Sequence, residues 1–530
     1  MKKIFIVLLS LVMTITLLGG CGGGGSDAAQ EGVLRIRLQR PVTSLDWATS
    51  TNVEARKITW VNVFEGLYGI DESKGGYYNL LAKDVKASDD GKEYTVKLVD
   101  ATFQNGDPLT ADDVVFSYEY SMGHPRFGYV TSMIDKVEAK DDKTVVFKLK
   151  YPYSAIAHTF WTVKIYSQRE FKEVTADGSE FGTVPHTAAT GPYIVTDYDV
   201  SSGLTLKANE NYWQGKPEIE TVEYRLIAED SAAVISYENG EIDYLTNPPL
   251  SDWDNVVAAS DGNAELVKSN DVLFVAINYQ SKTNNNILGN SKVREAVFHA
   301  INKDNIIQAA TNGKATPAYE YMPTEYVPTS PKASDGKFKT FDCDPKAAHK
   351  ALLEAGYSEE DIKAGIDVGT ILTYGEESSE KGKTAIVIQQ SLADCGMIAK
   401  VEVGETSPVT ERMYAGDYDI AVYYDDGNFD FNNIRQQIHS ESFGMYLVNY
   451  NDGKGTFDYK KFESLLDDGV GTTDTKERYD IYTELWKEIV DTNTLLPLYH
   501  SSTGIAWSSR VNIGAVNPTY YHLNDFKWNK

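Results

Sequence analysis

The sequence predicts an α/β protein of two lobes with an inserted subdomain, and three observations carry that reading. Strand patterns of period two interleave with helical ones. A chain of 530 residues leaves room for about three domains. Two strand-rich stretches, 75–184 and 190–280, precede a run of strand–helix units from about residue 283 onward. The strand patterns are Leu34-Ile36-Leu38, Tyr94-Val96-Leu98, Val145-Phe147-Leu149, Leu204-Leu206 and Val272-Phe274-Ala276. Strands and helices mixed at this spacing require more than one sheet.

Five helices have legible ends. Pro108 and Thr110 open the first, with Asp113 at capping-box spacing and an expected buried stripe of Ala111, Val115, Tyr118 and Met122. A second starts near Ser291 and turns Val293, Ala296, Val297, Ala300 and Ile301 to one side. Asp344-Pro345 caps and begins a third, because Pro suits the first helical position, and Gly356 ends it. A fourth buries Ala385, Ile388 and Leu392 and stops at Gly396; the last, from Asp474 to about Asp491, buries Ile481, Leu485 and Ile489.

The chain is 42% apolar and 24% charged, which excludes collagen-like, disordered and disulfide-scaffold classes. A net charge of −27 without any Lys/Arg cluster argues against nucleic acid as a partner, since polyanion binding needs a basic patch. Such charge reads as a soluble, self-repelling surface.

Lys2 and Lys3 precede an apolar run from Ile4 to Leu18, closed by Leu18-Gly19-Gly20-Cys21. The run is shorter than the roughly 20 residues a bilayer needs and reads as a secretory signal over residues 1–20. Leu, two small residues and Cys resemble the lipobox of bacterial lipoproteins, which implies that Cys21 is acylated and begins the mature chain. Residues 21–32 are then a flexible Gly/Ser tether, and the folded part starts near Val33. The expectation is an extracytoplasmic lipoprotein held to the cell membrane by its lipid anchor only. Cys343 and Cys395 show no CxxC or Cys/His spacing for zinc; a disulfide and two free thiols both stay open.

No P-loop, no GxGxxG after a strand, no HExxH and no GxSxG occurs, and none of the 8 His forms an i,i+3 or i,i+4 pair. The reading is therefore of a non-enzyme without cofactor or metal. Tyrosine is abundant, at 34 residues, which suits either a gripping cleft or ordinary half-buried strands.

Several stretches, in this order, carry a resemblance. They are Asp90-Gly91-Lys92-Glu93-Tyr94-Thr95-Val96-Lys97-Leu98, then Phe103 to Val114 with Pro108-Leu109-Thr110-Ala111-Asp112-Asp113-Val114, then Thr190-Gly191-Pro192-Tyr193. Asn209 to Pro217 with Tyr212-Trp213, Gly240-Glu241-Ile242-Asp243, Val293-Arg294-Glu295-Ala296, Ala300-Ile301-Asn302-Lys303 and Leu352 to Tyr357 follow. Together they resemble the family 5 extracellular solute-binding proteins of ABC transporters, the peptide and oligopeptide binders. Most of these motifs mark folding: Gly106 permits a turn, Thr110 caps, Gly191-Pro192 breaks a strand, and Trp213 reads as core.

The resemblance implies a bilobal periplasmic-binding-protein-like clamp with an extra subdomain, closing on a ligand between lobes. Lobe I would comprise 33–74, 185–282 and 505–530, the subdomain 75–184 and lobe II 283–504, with a hinge of two crossing segments near Tyr279–Lys282 and Ser501–Ala506. In the family's peptide binders a "Y-D-x-x" strand leads into a loop whose Asp meets the peptide ammonium. Here Tyr418-Asp419 leads to Asp425, with Asp426 as the neighbouring choice and Tyr423, Tyr424 and Asn428 beside them. A carboxylate suits an ammonium through charge-assisted bonds. The segment Thr43 to Ser50 resembles the family's cleft rim, which makes Thr49 and Ser50 candidates for backbone pairing with an extended peptide. The Arg that oligopeptide binders often carry shortly before this Asp is absent; Arg435 and His439 lie downstream. The implied function is capture of a peptide by a monomer and delivery to ABC permease subunits. A nickel complex, an opine or a sugar as ligand, and a surface sensor or adhesin reusing the fold, stay open.

Overall fold

Val33–Leu38 is buried along its whole length. An alternating strand would turn Arg35 and Arg37 to water, but this one pairs in parallel with Thr221–Leu226 on one side and, at Ile36, with Tyr244–Thr246 on the other. A parallel strand covered on both faces must bury everything it carries. Arg35 is accommodated by a fork onto Asp243, Nε to Oδ2 at 2.9 Å and Nη2 to Oδ1 at 3.0 Å, and Arg510 adds a third bond at 2.8 Å. The computed structural model describes residues 32–49, 53–71, 73, 76–124, 128–324, 327–425, 429–439, 457–517 and 519–529. Cys21 and the tether, Ser50, Asp426 and Asn428 lie outside the described residues.

The main sheet has eleven strands. From one edge it runs Met397–Gly404, Ile366–Tyr374, Ile420–Asp425, Ala264–Ile277, Leu495–Trp507, Tyr244–Thr246, Val33–Leu38, Thr221–Leu226, Gly203–Ala208 and Tyr193–Asp199, with Thr316–Pro317 added beside Leu495–Trp507. Two large apolar cores lie along it. The first gathers residues 34–244 and 505–526, the second residues from Val272 to Tyr499. Among the described residues the long antiparallel pair Ala264–Ile277 and Leu495–Trp507 passes from one core to the other, and it does so over a few residues. Val267 packs against the first core and Val272 belongs to the second; Tyr499 belongs to the second and Ile505 to the first. The ladder between them shifts register between Lys268 and Val272. The crossing therefore falls at 267–272 and not at the expected Tyr279–Lys282. Asn278 is already fastened to the second lobe, its N–H donating to Asp419 O and its Nδ2 to Tyr418 O, both at 2.9 Å. The other expected crossing, Ser501–Ala506, does carry the change of core.

The four-stranded antiparallel sheet of Ala82–Ala87, Glu93–Leu98, Thr144–Leu149 and Ile134–Asp141 falls inside 75–184. Its Val96 and Phe147 join the same core as Leu34 and Tyr193. Helix Ala111–Met122 has the Thr110/Asp113 capping box, yet its buried positions include Val114, Ser117 and Tyr118, while Val115 is half-buried and Met122 exposed. The stripe is rotated by one residue because the segment Tyr166–Gln168 lies on that side, Tyr166 N–H donating to Ser117 Oγ and Gln168 N–H to Asp113 Oδ1, both at 2.9 Å. The helices Ser291–Ala300, Pro345–Glu354 and Glu380–Asp394 bury the expected residues or caps. Thr475–Asp491 buries Tyr482, Leu485 and Trp486, and leaves Ile481 half-buried. Cys343 is exposed and Cys395 buried, and both are free thiols. Among the described residues no helix is long and apolar enough to cross a membrane.

Candidate functional site

A second contact joins the two cores besides the crossing strands. Phe429 follows the strand Ile420–Asp425 of the second core, but its half-buried ring packs against the first. It meets Tyr77 edge-on, with centroids 5.6 Å apart at 79°. Beside it Asn432 Nδ2 donates to Tyr153 Oη at 3.3 Å, and Ser154 N–H donates to Val470 O at 2.6 Å. Tyr77 Oη and His158 Nδ1 share a hydrogen bond of 2.8 Å behind this seam.

The charged centre of the seam is Asp430 with Arg478. Nη2 of Arg478 donates to both carboxylate oxygens at 2.8 Å, its Nε donates to Gly469 O at 2.9 Å, and both residues are buried. Asp430 also caps the turn Phe431–Ile434 by accepting from Asn432 N–H at 2.9 Å. Burial first, and then the charge of Asp430, pushes the hydroxyls of Tyr77 and Tyr153 above their ordinary range. The same burial holds His158 down to about 4 against the pull of Asp430. One carboxylate of the second lobe thus acts on three ring groups of the first, and the seam is an aromatic and tyrosine-rich surface with a fixed ion pair at its centre.

The sequence-predicted residues divide between the two sides. Tyr423, buried, packs on Tyr374 at 5.8 Å and Phe274 at 5.9 Å. The next side chain points the other way, as alternation requires, and Tyr424 Oη donates to Asp271 Oδ2 at 2.5 Å. Lys381 Nζ sits 4.5 Å above the Tyr374 ring and 5.9 Å above that of Tyr424. Asp425, at the strand end and 8% exposed, accepts from Tyr321 Oη and, at 3.2 Å, from Asn433 Nδ2. Both donors belong to its own lobe. Thr49 is exposed on the first lobe and shares a 3.3 Å bond with Ser44. Its segment is pinned by buried Asp46, which accepts from Tyr166 Oη, from Tyr120 Oη at 2.9 Å and from Ala48 N–H at 3.0 Å. Arg435 donates to Asp467 at 2.8 Å and touches His439, all within the second lobe.

Sequence reasoning passed over Phe429, Asp430, Tyr153, Tyr77 and Arg478, because only the fold brings residues of such separation together. It also passed over Glu65, whose signal was local: a carboxylate inside the apolar run Val63 to Leu67. Glu65 accepts from Tyr212 Oη at 2.7 Å and Trp213 Nε1 at 2.9 Å, so Trp213, which read as core, is tied with its neighbour Tyr212 to a buried acid. Gly66 follows it where a side chain has no room, since a Cβ would sit 2.6 Å from Phe160 O.

Two lobes joined by two crossing strands and meeting at a seam give a bilobal arrangement. The model of the bacterial extracellular solute-binding proteins, family 5 Middle, matches residues 76–442. The chain belongs to family 5 of the extracellular solute-binding proteins. Among family 5 relatives, the oligopeptide-binding protein AppA of Bacillus subtilis is 23% identical over 99% of both chains. The glutathione-binding protein GsiB of Shigella flexneri is 26% identical over 79% of this chain and 78% of its own. NikA of Brucella suis, solved with Fe(III)-EDTA, superposes with a TM-score of 0.81 over 94% of this chain and all of its own at 20% identity, a likeness of fold. As a family 5 protein the chain is a solute-binding component of an ABC transporter.

Proposed function

We propose that this protein captures peptides outside the cell and hands them to the permease subunits of an ABC transporter, as a monomer tethered to the membrane through acylated Cys21. The observation that supports the clamp mechanism is Phe429, a residue of one lobe packed on the core of the other. A ligand enclosed at such a seam contacts both sides only when they meet, so binding and closure become one equilibrium. Peptide as the ligand is supported by the relative that matches over the whole chain, an oligopeptide-binding protein. In this reading residues 33–74, 185 to about 267 and 505–530 form one lobe and about 272–504 the other, the expected boundary at 282 moving to the observed change of core, with 75–184 as the subdomain. Thr49 offers backbone on one side, Tyr423 and Tyr424 stand on the strand of the other, and Ser50, Asp426 and Asn428, outside the described residues, stay candidates through the family resemblance.

A carboxylate of that segment takes the peptide ammonium. Asp425 is the position the family resemblance suggests, but the groups it acts on, Tyr321 and Asn433 among them, belong to its own lobe. Asp430, although held by Arg478 and by Asn432 N–H, is the carboxylate whose field reaches the opposite lobe, and we assign the ammonium to it. The test is mass spectrometry of ligands released from protein purified under native conditions. Peptides are expected; a metal chelate or a sugar in their place overturns the peptide reading and leaves the clamp. Detergent phase partition of Cys21→Ser checks the anchor: the variant is expected in the aqueous phase, and one that stays with the detergent refutes acylation at Cys21.

A further inference from the structure

The first lobe holds a cavity of about 440 Å³ whose walls come from residues 60–80, 161–164, 212–214 and 522–525. It touches the seam at Tyr77, but no part of its lining belongs to the second core. Burial orders it from inside to outside. Trp60, Glu65, Trp161 and Lys164 are buried at its floor, Asp71 is half-buried, and Tyr78 and Asp525 are exposed at its mouth.

The floor is short of hydrogen-bond acceptors. Lys164, 1% exposed, donates from Nζ to Trp161 O at 2.6 Å, while even a neutral amine carries two N–H groups. The Glu65 carboxylate is occupied by Tyr212 and Trp213 and makes no ion pair with Lys164 within 4 Å among the described contacts. The lysine lies instead between two indoles, 5.2 Å from the Trp60 ring and 4.7 Å from that of Trp161. Trp161 Nε1 is buried and has no hydrogen-bond partner among the described residues. Buried donors left without acceptors are costly, and a ligand that brings an acceptor relieves that cost. Burial accordingly holds Lys164 well below its ordinary value, and a carboxylate laid against it would favour the charged form. Glu65 shares the floor with Lys164 and acts on it, and at the mouth Asp525 and Asp71, the latter accepting from Ser73 Oγ at 2.6 Å, add negative charge that favours a positive group. The walls between are flat aromatic rings.

We infer that this cavity is a second binding site, for a free α-amino acid with an aromatic or apolar side chain. Its carboxylate meets Lys164 and Trp161 Nε1–H, its ammonium faces Asp71 and Asp525, and its side chain lies on Trp60. The site does not depend on what the cleft between the lobes binds.

Tryptophan fluorescence and calorimetry on the full chain test this with L-phenylalanine, phenethylamine, which lacks the carboxylate, and phenylpropionate, which lacks the ammonium. Phenylalanine is expected to saturate, with each analogue at least about tenfold weaker, the size of one lost charge-assisted contact. Lys164→Met is expected to weaken phenylalanine about tenfold or more. Asp525→Asn, at the exposed mouth, keeps the fold and weakens it several-fold, so the proposal is tested even where Lys164→Met fails to fold. No saturation by about 10 mM, a range in which even weak sites fill, overturns the proposal. So does equal binding of phenethylamine, or displacement of phenylalanine by whatever ligand fills the interlobe cleft.

Discussion

Replacing Phe429 with Ala tests the clamp most directly, because this ring is the contact that one lobe makes in the core of the other. Its size can be worked from the packing. Fully burying a Phe is worth about 1.5–3 kcal/mol, and this ring is half-buried, so about 1 kcal/mol is at stake. The edge-on pair with Tyr77 adds about 0.5–1.5 kcal/mol. The closed form should therefore lose about 2 kcal/mol relative to the open one, roughly a 30-fold change in their ratio. Neither lobe's own core contains Phe429 as a buried member, so the melting temperature of the unliganded protein should hardly move. Where the unliganded protein is mainly open, the whole cost falls on ligand affinity, because binding must supply the closure that the ring no longer helps. The assay is calorimetry with the ligand identified from the purified protein, paired with solution scattering in its presence and absence. The variant should bind up to about 30-fold more weakly and need more ligand to contract, whereas Phe429→Leu should recover most of the affinity. An unchanged dissociation constant together with an unchanged radius of gyration would refute closure at this seam.

Four further outcomes are expected. Asp430→Asn leaves buried Arg478 without its charge partner and should lower stability as well; among peptides it should weaken those with a free amine by about 10-fold to 150-fold, a loss of about 1.5–3 kcal/mol, and N-acetylated ones clearly less, and if the two peptide forms lose equally, Asp430 does not hold the ammonium. Asp425→Asn should instead lower stability by about 1–3 kcal/mol in denaturant titration, since Tyr321 and Asn433 lose a charged acceptor. Burial raises Glu65 to about 7 from an ordinary 4.5, so the fold holds its proton more tightly than the unfolded chain does. Its stabilising contribution is then complete below about pH 4.5 and is lost as pH rises through about 7, by about 3 kcal/mol, and Glu65→Gln should flatten that fall relative to the parent. Alkylation mapped by mass spectrometry should label Cys343 in the native protein. Cys395, buried and pushed up to about 11, should be labelled only after unfolding; protection of both thiols until reduction would mean a disulfide.

Much of the secondary structure was legible because its signals act over a few residues. Thr110 with Asp113, Asp344 before Pro345 and Asp474 before Thr475 cap helices by reaching backbone N–H groups two or three positions on, and the structure has each of them. The family was legible for a related reason: turns, caps and strand breaks recur in a set order along the chain. What a local pattern cannot report is which face of an element meets a second layer. The helix after Thr110 turned Val114 inward and not Val115, and Val33–Leu38 buried two arginines that alternation would have exposed, because a parallel neighbour stood on each side. The candidate site shows the same division. The sequence pointed to the stretch Tyr418 to Asp430, but not to the member of it that faces the other lobe. That depends on Tyr77, Tyr153 and Arg478, whose approach is set by the crossing strands and the packing of two separate cores. Period, caps and motifs are properties of neighbours in the chain, whereas a cleft is made by surfaces that touch only after each lobe has folded.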